Sequence, residues 1–159
     1  MSDMLVRLYD LPPLEPAVER VRGHDLYIRR AEPWDRRKVI EFARREFSEN
    51  WADEVQMAFG QHPISLFVCD DSAGEIVGFA AYNCTLKDFF GPEGVLEAQR
   101  GKGIGAALLL CCLYALKAEG YGYAVIGWAG PVDFYRKICG ATVIEGSEPG
   151  VFWSLCRKR

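Results

Sequence analysis

"QRGKGIGAALLL", residues Gln99 to Leu110, places three glycines at alternate positions between a basic pair and a long apolar run. The stretch Ile104 to Leu113 is apolar at nearly every position, so a helix running from Gly103 to Glu119 has to be buried on more than one side. Burial of that kind fixes the helix mouth relative to the rest of the fold. Backbone N–H groups at such a mouth lack intrahelical partners and carry partial positive charge. Glycines remove the Cβ atoms that would keep an anion away, and Arg100 and Lys102 add formal charge. The segment Arg100, Gly101, Lys102, Gly103, Ile104, Gly105 therefore reads as a phosphate seat. The rival reading is a tight turn into a buried helix, for which one glycine is enough.

Three phosphate ligands compete. A Walker A loop ends in Gly-Lys-Ser/Thr, whereas Gly105 is followed by Ala106-Ala107, so no hydroxyl is placed for Mg²⁺. The dinucleotide fingerprint is met formally by Gly101-x-Gly103-x-x-Ala106. Against it, Glu119 precedes the next strand where the acidic residue should end it, and about 40 residues are too few for the rest of a doubly wound sheet. The third ligand is the pyrophosphate of another cofactor.

The order of elements around the loop gives the fold class. Upstream, "MLVRLYDLP" is a short extended piece stopped by Pro12 and Pro13, and "DLYIRRA" alternates as a strand. "EPWDRRKVIEFARREF" carries apolar residues at helical spacing, and Trp51 to Phe59 gives a second helix ended by Gly60. "SLFVCDDSAGEIVGFAAYNCT" is a hairpin around Asp70–Gly74, and "GPEGVLEA" is a further strand. Downstream, "YAVIGWAG" is a strand, Pro131 to Cys139 a short helix, and "ATVIE" with "VFWSLC" a closing hairpin around "GSEPG". Antiparallel strands, one strand-helix-strand crossover and helices on both faces make a mixed α/β (α+β) domain. No repeat or linker divides it, so residues 1–159 read as one domain.

Composition narrows the function. A net charge of −3 gives no concentrated basic surface for nucleic acid, and Arg157-Lys158-Arg159 reads as a solvated tail. The longest apolar run is about half a membrane span, and the N-terminus has no secretory pattern, so a soluble, cytoplasmic protein without membrane attachment is expected. Cys69, Cys84, Cys111, Cys112, Cys139 and Cys156 match no zinc spacing and His24 and His62 are the only histidines; no metal site is expected, and the cysteines read as reduced, mostly buried thiols.

Two motifs in this order resemble the GNAT superfamily of acyl-CoA-dependent N-acetyltransferases. Arg100 to Gly105 fits its Q/R-x-x-G-x-G/A loop, and "DFYRKICGA", about 35 residues on, matches the Phe-Tyr…Gly stretch of its fourth helix. The order of elements from about Leu26 onward is similar too. The resemblance implies acetyl-CoA as acyl donor, with its pyrophosphate on the backbone of Arg100 to Gly105. It implies that the preceding strand diverges from its neighbour and sets Glu93, Gly94 and Val95 beside the thioester, where an amide steadies the oxyanion. Tyr135 falls on the family's tyrosine, which protonates the departing thiolate. An amine is protonated at pH 7, so a base must act, and Glu93 and Glu54 are the candidates. Trp128 and Pro131 stand where the family often has asparagine and alanine; Trp128 either walls the acceptor pocket or caps the core.

The implied reaction is acetyl transfer by direct attack of a small-molecule primary amine. Glu46, Glu49, Asp53 and Glu54, interleaved with Phe47 and Trp51, would suit a cationic acceptor. Acetylation of a protein lysine or N-terminus, and a non-catalytic acyl-CoA sensor, are the alternatives. Homodimers are common in the family.

Overall fold

The computed structural model describes residues 1–157; Lys158 and Arg159, the end of the expected tail, and the side chains of Ser154, Cys156 and Arg157 lie outside the described residues. The hairpin forms where the turn chemistry places it. Strands β3 (Leu66–Asp70) and β4 (Ile76–Tyr82) are antiparallel, and Asp71 Oδ1 accepts the N–H groups of Ala73 and Glu75 at 2.9 Å within the turn. An edge strand β2 (Tyr27–Arg30) flanks β3, and β5 (Phe89–Val95) flanks β4, both antiparallel. The helix read from the opening sequence, α4 (Ile104–Ala118), then carries the chain to β6 (Tyr123–Ile126), which lies parallel to β5. The fold is therefore a mixed, mostly antiparallel α/β sheet with one parallel pair.

The far side of β6 departs from expectation. The N-terminal strand β1 (Met4–Arg7) is inserted between β6 and a two-residue β7 (Thr142–Val143), giving the order β2-β3-β4-β5-β6-β1-β7. The expected closing hairpin does not form: "ATVIE" contributes only β7, and "VFWSLC" lies in a short helix α6 (Val151–Arg157). The reason is competition for one hydrogen-bonding edge. Met4 and Val6 are fully buried and pair in register with Ile126 and Ala124, so β6 has no open edge left for a C-terminal strand. The strand expected over Tyr123–Gly130 also stops at Ile126, because Trp128 turns into the left-handed region at φ 50°.

Asp3 ties this arrangement together. Its carboxylate, 6% exposed, accepts the Trp128 N–H at 3.0 Å and the Val151 N–H at 2.9 Å, so one side chain holds the loop after β6 and the first turn of α6. Asp3→Ala strands both donors. We expect it to cost about 2–4 kcal/mol, seen as a lower urea midpoint with an unchanged slope.

Helices α2 (Arg36–Glu46) and α3 (Glu49–Ala58) cover one face of the sheet, packing Val39, Phe42, Ala52 and Val55 on Leu66, Val68 and Phe79. On the other face lie α4, α5 (Val132–Cys139) and a helix the sequence reading missed, α1 (Glu15–Arg22). Pro16 sits in the first turn of α1, where proline is tolerated, and Ala17 and Val21 pack toward α4. Ile104, Leu108, Leu109, Leu113 and Leu116 of α4 are fully or almost fully buried, which fixes the helix and its mouth. None of the helices among the described residues is long and apolar enough to cross a membrane.

Candidate active site

At the mouth of α4 the chain enters through two left-handed glycines, Gly101 at φ 84° and Gly103 at φ 87°, a conformation that disfavours side chains. Gly103 is the N-cap residue and no side chain caps the helix, so the first-turn N–H groups point outward without intrahelical partners. Gly105 has a different cause: a Cβ there would lie 3.3 Å from Glu93 Oε1. Each glycine thus has a local reason, and together they leave a bare, donor-rich helix end. Arg100 Nε donates to the Val95 carbonyl at 3.4 Å, and Lys102 Nζ to Gln99 Oε1 at 2.6 Å. Arg20, which the sequence reading did not single out, reaches in from α1, lies over Gly103 and donates to the Gly101 carbonyl at 3.3 Å. The signal for it was weak, since its helix had not been recognised.

Beside the helix mouth the sheet opens. Parallel pairing of β5 and β6 is confined to Phe89 with Val125 and Phe90 with Ile126, and beyond it the strands part. On its other side β5 stays paired with β4 as far as Leu96, whose N–H donates to the Val77 carbonyl. Alternation along an antiparallel ladder then turns the peptide groups of Glu93 and Val95 into the gap and that of Gly94 toward β4. The contact from Arg100 to the Val95 carbonyl agrees with this.

Glu93 and Tyr135 come together under the gap. Glu93 is half-buried as a residue, but its Oε1 is shut off from solvent and has no hydrogen-bond partner, and burial pushes its carboxyl up to about 8. Tyr135, 8% exposed, packs edge-on against Phe90 at 6.2 Å and Phe134 at 5.2 Å. Burial first, and the Glu93 carboxylate second, raise its phenol well above the usual range, so it keeps its proton throughout the working pH range. The thiols nearby are inert: burial pushes Cys139 up to about 11.

The opposite face is filled differently from the expected acceptor pocket. A Cβ on Gly94 would overlap the Phe47 ring, so the close approach at Gly94 is made by this ring. Phe47 stacks on Trp51 at 5.1 Å and meets Phe42 and Phe79 edge-on, so Phe47 and Trp51, both partly buried, pack against the core. Two of the acidic residues are matched by arginines, Glu46 with Arg45 at 2.6 Å and Glu49 with Arg44 at 2.9 Å. Glu54 bonds Thr85 in the β4–β5 connection and burial raises its carboxyl; no contact joins it to Glu93 and Tyr135. Trp128 donates Nε1 to the Pro149 carbonyl at 2.8 Å and lies edge-on to Phe152 at 6.0 Å, so it caps the C-terminal segment.

The acetyltransferase (GNAT) domain model matches residues 62–138, from the approach to β3 through most of α5. No curated protein matches the chain in sequence. Among solved structures, it is similar to the GCN5-related glucosamine N-acetyltransferase region of a fungal multi-domain GH3 beta-N-acetylglucosaminidase, with 17% identity and a TM-score of 0.73 over 90% of this chain and 19% of that one. A GCN5-related N-acetyltransferase from Sphaerobacter thermophilus gives 22% and 0.68 over 90% of this chain and 48% of that one. A GNAT family acetyltransferase from Brucella melitensis, crystallised with acetyl-CoA, gives 22% and 0.53 over 76% and 88%. At these identities the likeness is one of fold, and the chain spans less than half the length of the first two.

Proposed function

We propose, for a chain that belongs to the GNAT superfamily by its central domain and its fold, that it transfers the acetyl group of acetyl-CoA to a primary amine of a small molecule by direct attack. The observation that carries this reading is the adjacency of three features: the uncapped, glycine-lined mouth of α4, the gap between β5 and β6, and the Glu93–Tyr135 pair beneath it. Acetyl-CoA supplies the activated acyl group.

In this scheme the first-turn N–H groups of α4, with Gly101, Gly103 and Gly105 keeping side chains away, hold the pyrophosphate. The Glu93 and Val95 N–H groups face the gap, where they pair with an extended ligand and stabilise charge developing on a carbonyl oxygen. Tyr135 holds its proton at all working pH values and delivers it to the departing sulfur. Glu93 carries its own proton at neutral pH, which suits it to donate rather than to deprotonate an amine. That leaves Glu54, on the α2–α3 face, for the amine's proton. The case for a cationic acceptor narrows to Asp53 and Glu54, because Glu46 and Glu49 are paired.

Calorimetric titration with acetyl-CoA, run beside NAD and ATP, tests the reading. Micromolar binding of acetyl-CoA alone is expected; absence of binding, or preference for NAD, overturns it. Tyr135→Phe should lower kcat by about ten-fold or more while changing acetyl-CoA affinity little. An unchanged kcat would assign Tyr135 to packing.

A further inference from the structure

Gly94 is the middle residue of the stretch of β5 that lines the gap, and both faces of the strand are closed there. On the face of α2 and α3, the tip of the Phe47 ring lies against the glycine, where a Cβ would overlap three ring carbons. No channel therefore runs between ring and strand. On the face of α4 the two residues that flank Gly94 fill the space. Val95 packs into the core around α4, and Glu93 sets its buried carboxyl oxygen against Gly105.

The ring is held from its root to its tip. Phe47 and Ser48 alone connect α2 to α3, and both ends of this connection are tied down. The Phe47 N–H donates to the Ala43 carbonyl at 3.1 Å, and Ser48 Oγ accepts the Trp51 N–H at 3.2 Å. Around the ring, Trp51 stacks with 28° between the planes, and Phe42 and Phe79 meet it edge-on at 5.9 and 5.8 Å. Such aromatic pairs stabilise one arrangement beyond the area they bury. Phe79 stands opposite Gly94 in the β4–β5 ladder, so the aromatic wall spans both strands.

We propose that Phe47, braced by Trp51, is the stop that sets the length of the acyl chain, so that the site takes an acetyl group and rejects acyl groups of four or more carbons. The inference deepens the acetyltransferase reading and rests on its placement of the thioester beside Glu93 and Val95. With the carbonyl oxygen on a peptide N–H of β5 and the arm of the coenzyme in the gap, the carbons beyond the carbonyl turn toward one face of the strand or the other. A methyl group ends before either wall. Each further methylene has to displace a ring wedged among three others, or the buried Glu93 carboxyl, and close-packed groups of this kind resist displacement. Phe47 lies outside residues 62–138, so the family pattern does not specify it.

The test is calorimetry with free CoA, acetyl-CoA, butyryl-CoA and hexanoyl-CoA on the parent chain, Phe47→Leu and Phe47→Ala, with thermal melts confirming folding. Ratios to free CoA separate the acyl group from any change at the rest of the coenzyme. In the parent, butyryl-CoA and hexanoyl-CoA should bind about ten-fold or more weakly than acetyl-CoA. Alanine vacates the ring, and the order should reverse, each methylene that enters the space adding about four-fold in affinity. Leucine is shorter than phenylalanine but still fills the core, so it should raise butyryl-CoA relative to acetyl-CoA even if the alanine variant does not fold. Equal affinity of the parent for acetyl-CoA and hexanoyl-CoA would overturn the proposal while leaving acetyl-CoA binding intact. A preference for acetyl-CoA that survives in the folded variants would overturn it as well, placing the stop elsewhere. A parent that binds neither free CoA nor acetyl-CoA would instead remove the acetyltransferase reading on which the proposal stands.

Discussion

Glu93→Gln is expected to flatten a fall in stability that the parent protein shows between about pH 5 and pH 8. An ordinary glutamate ionises near 4.5, and burial holds the Glu93 carboxyl up to about 8. Between these values the unfolded chain has released its proton while the folded chain keeps it. The folded state therefore binds more protons, and stability declines with rising pH by about 1.4 kcal/mol per unit. Above about pH 8 both states are ionised and this group adds no further slope. The groups that act on Glu93 or feel its charge, Tyr135, Cys112 and Cys139, all titrate above this window and stay neutral within it. Glutamine has nearly the same shape and no charge. Urea unfolding at pH 5, 6.5 and 8 should show the variant losing less stability than the parent, with a gap of several kcal/mol at the highest pH. Parallel curves would show that the carboxyl is ionised throughout and that water reaches it.

This carboxyl also shows which parts of the site can be read from a sequence. Glu93 stands out in the strand before the glycine loop because a charge there has no packing role. Its neighbours cannot be read in the same way: its approach to Gly105 joins β5 to the first turn of α4, 12 positions on, and its coupling to Tyr135 joins residues 42 positions apart. Local patterns give the hairpin, α4 and the crossover to β6, since turn residues and apolar periodicity are properties of neighbouring positions. The placement of β1 is different. Whether β6 pairs with residues 4–7 or with 151–156 depends on competition between two ends of the chain, and both stretches carry strand-like residues. Asp3 decides in favour of the N-terminus by holding Trp128 and Val151, a side-chain contact across more than a hundred positions. Missing that placement also hid α1, and with it Arg20. Phe47 was visible as an aromatic near the expected acceptor face, but not as the residue that occupies the space beside Gly94.

Gly103→Asp should weaken acetyl-CoA binding about hundred-fold, and Gly103→Asn much less. Both substitutions place a side chain of the same size on a backbone at φ 87°, a conformation that asparagine and aspartate tolerate better than other residues. Both displace the Arg20 side chain, whose Cδ lies 3.1 Å from the position of the new Cβ and is free to move. The pair therefore shares its steric and conformational cost and differs in one negative charge. At ~4 Å and a surface-like dielectric, a charge repelling one phosphate is worth about 4 kcal/mol, enough for more than a hundred-fold in affinity. The aspartate would also pair with Arg20 and take its guanidinium away from the ligand. Melting temperatures of the two variants should agree closely, so that the difference in binding reports charge alone. If aspartate and asparagine bind acetyl-CoA equally, no phosphate lies at the mouth of α4, and the three glycines serve only the turn and the contact with Glu93.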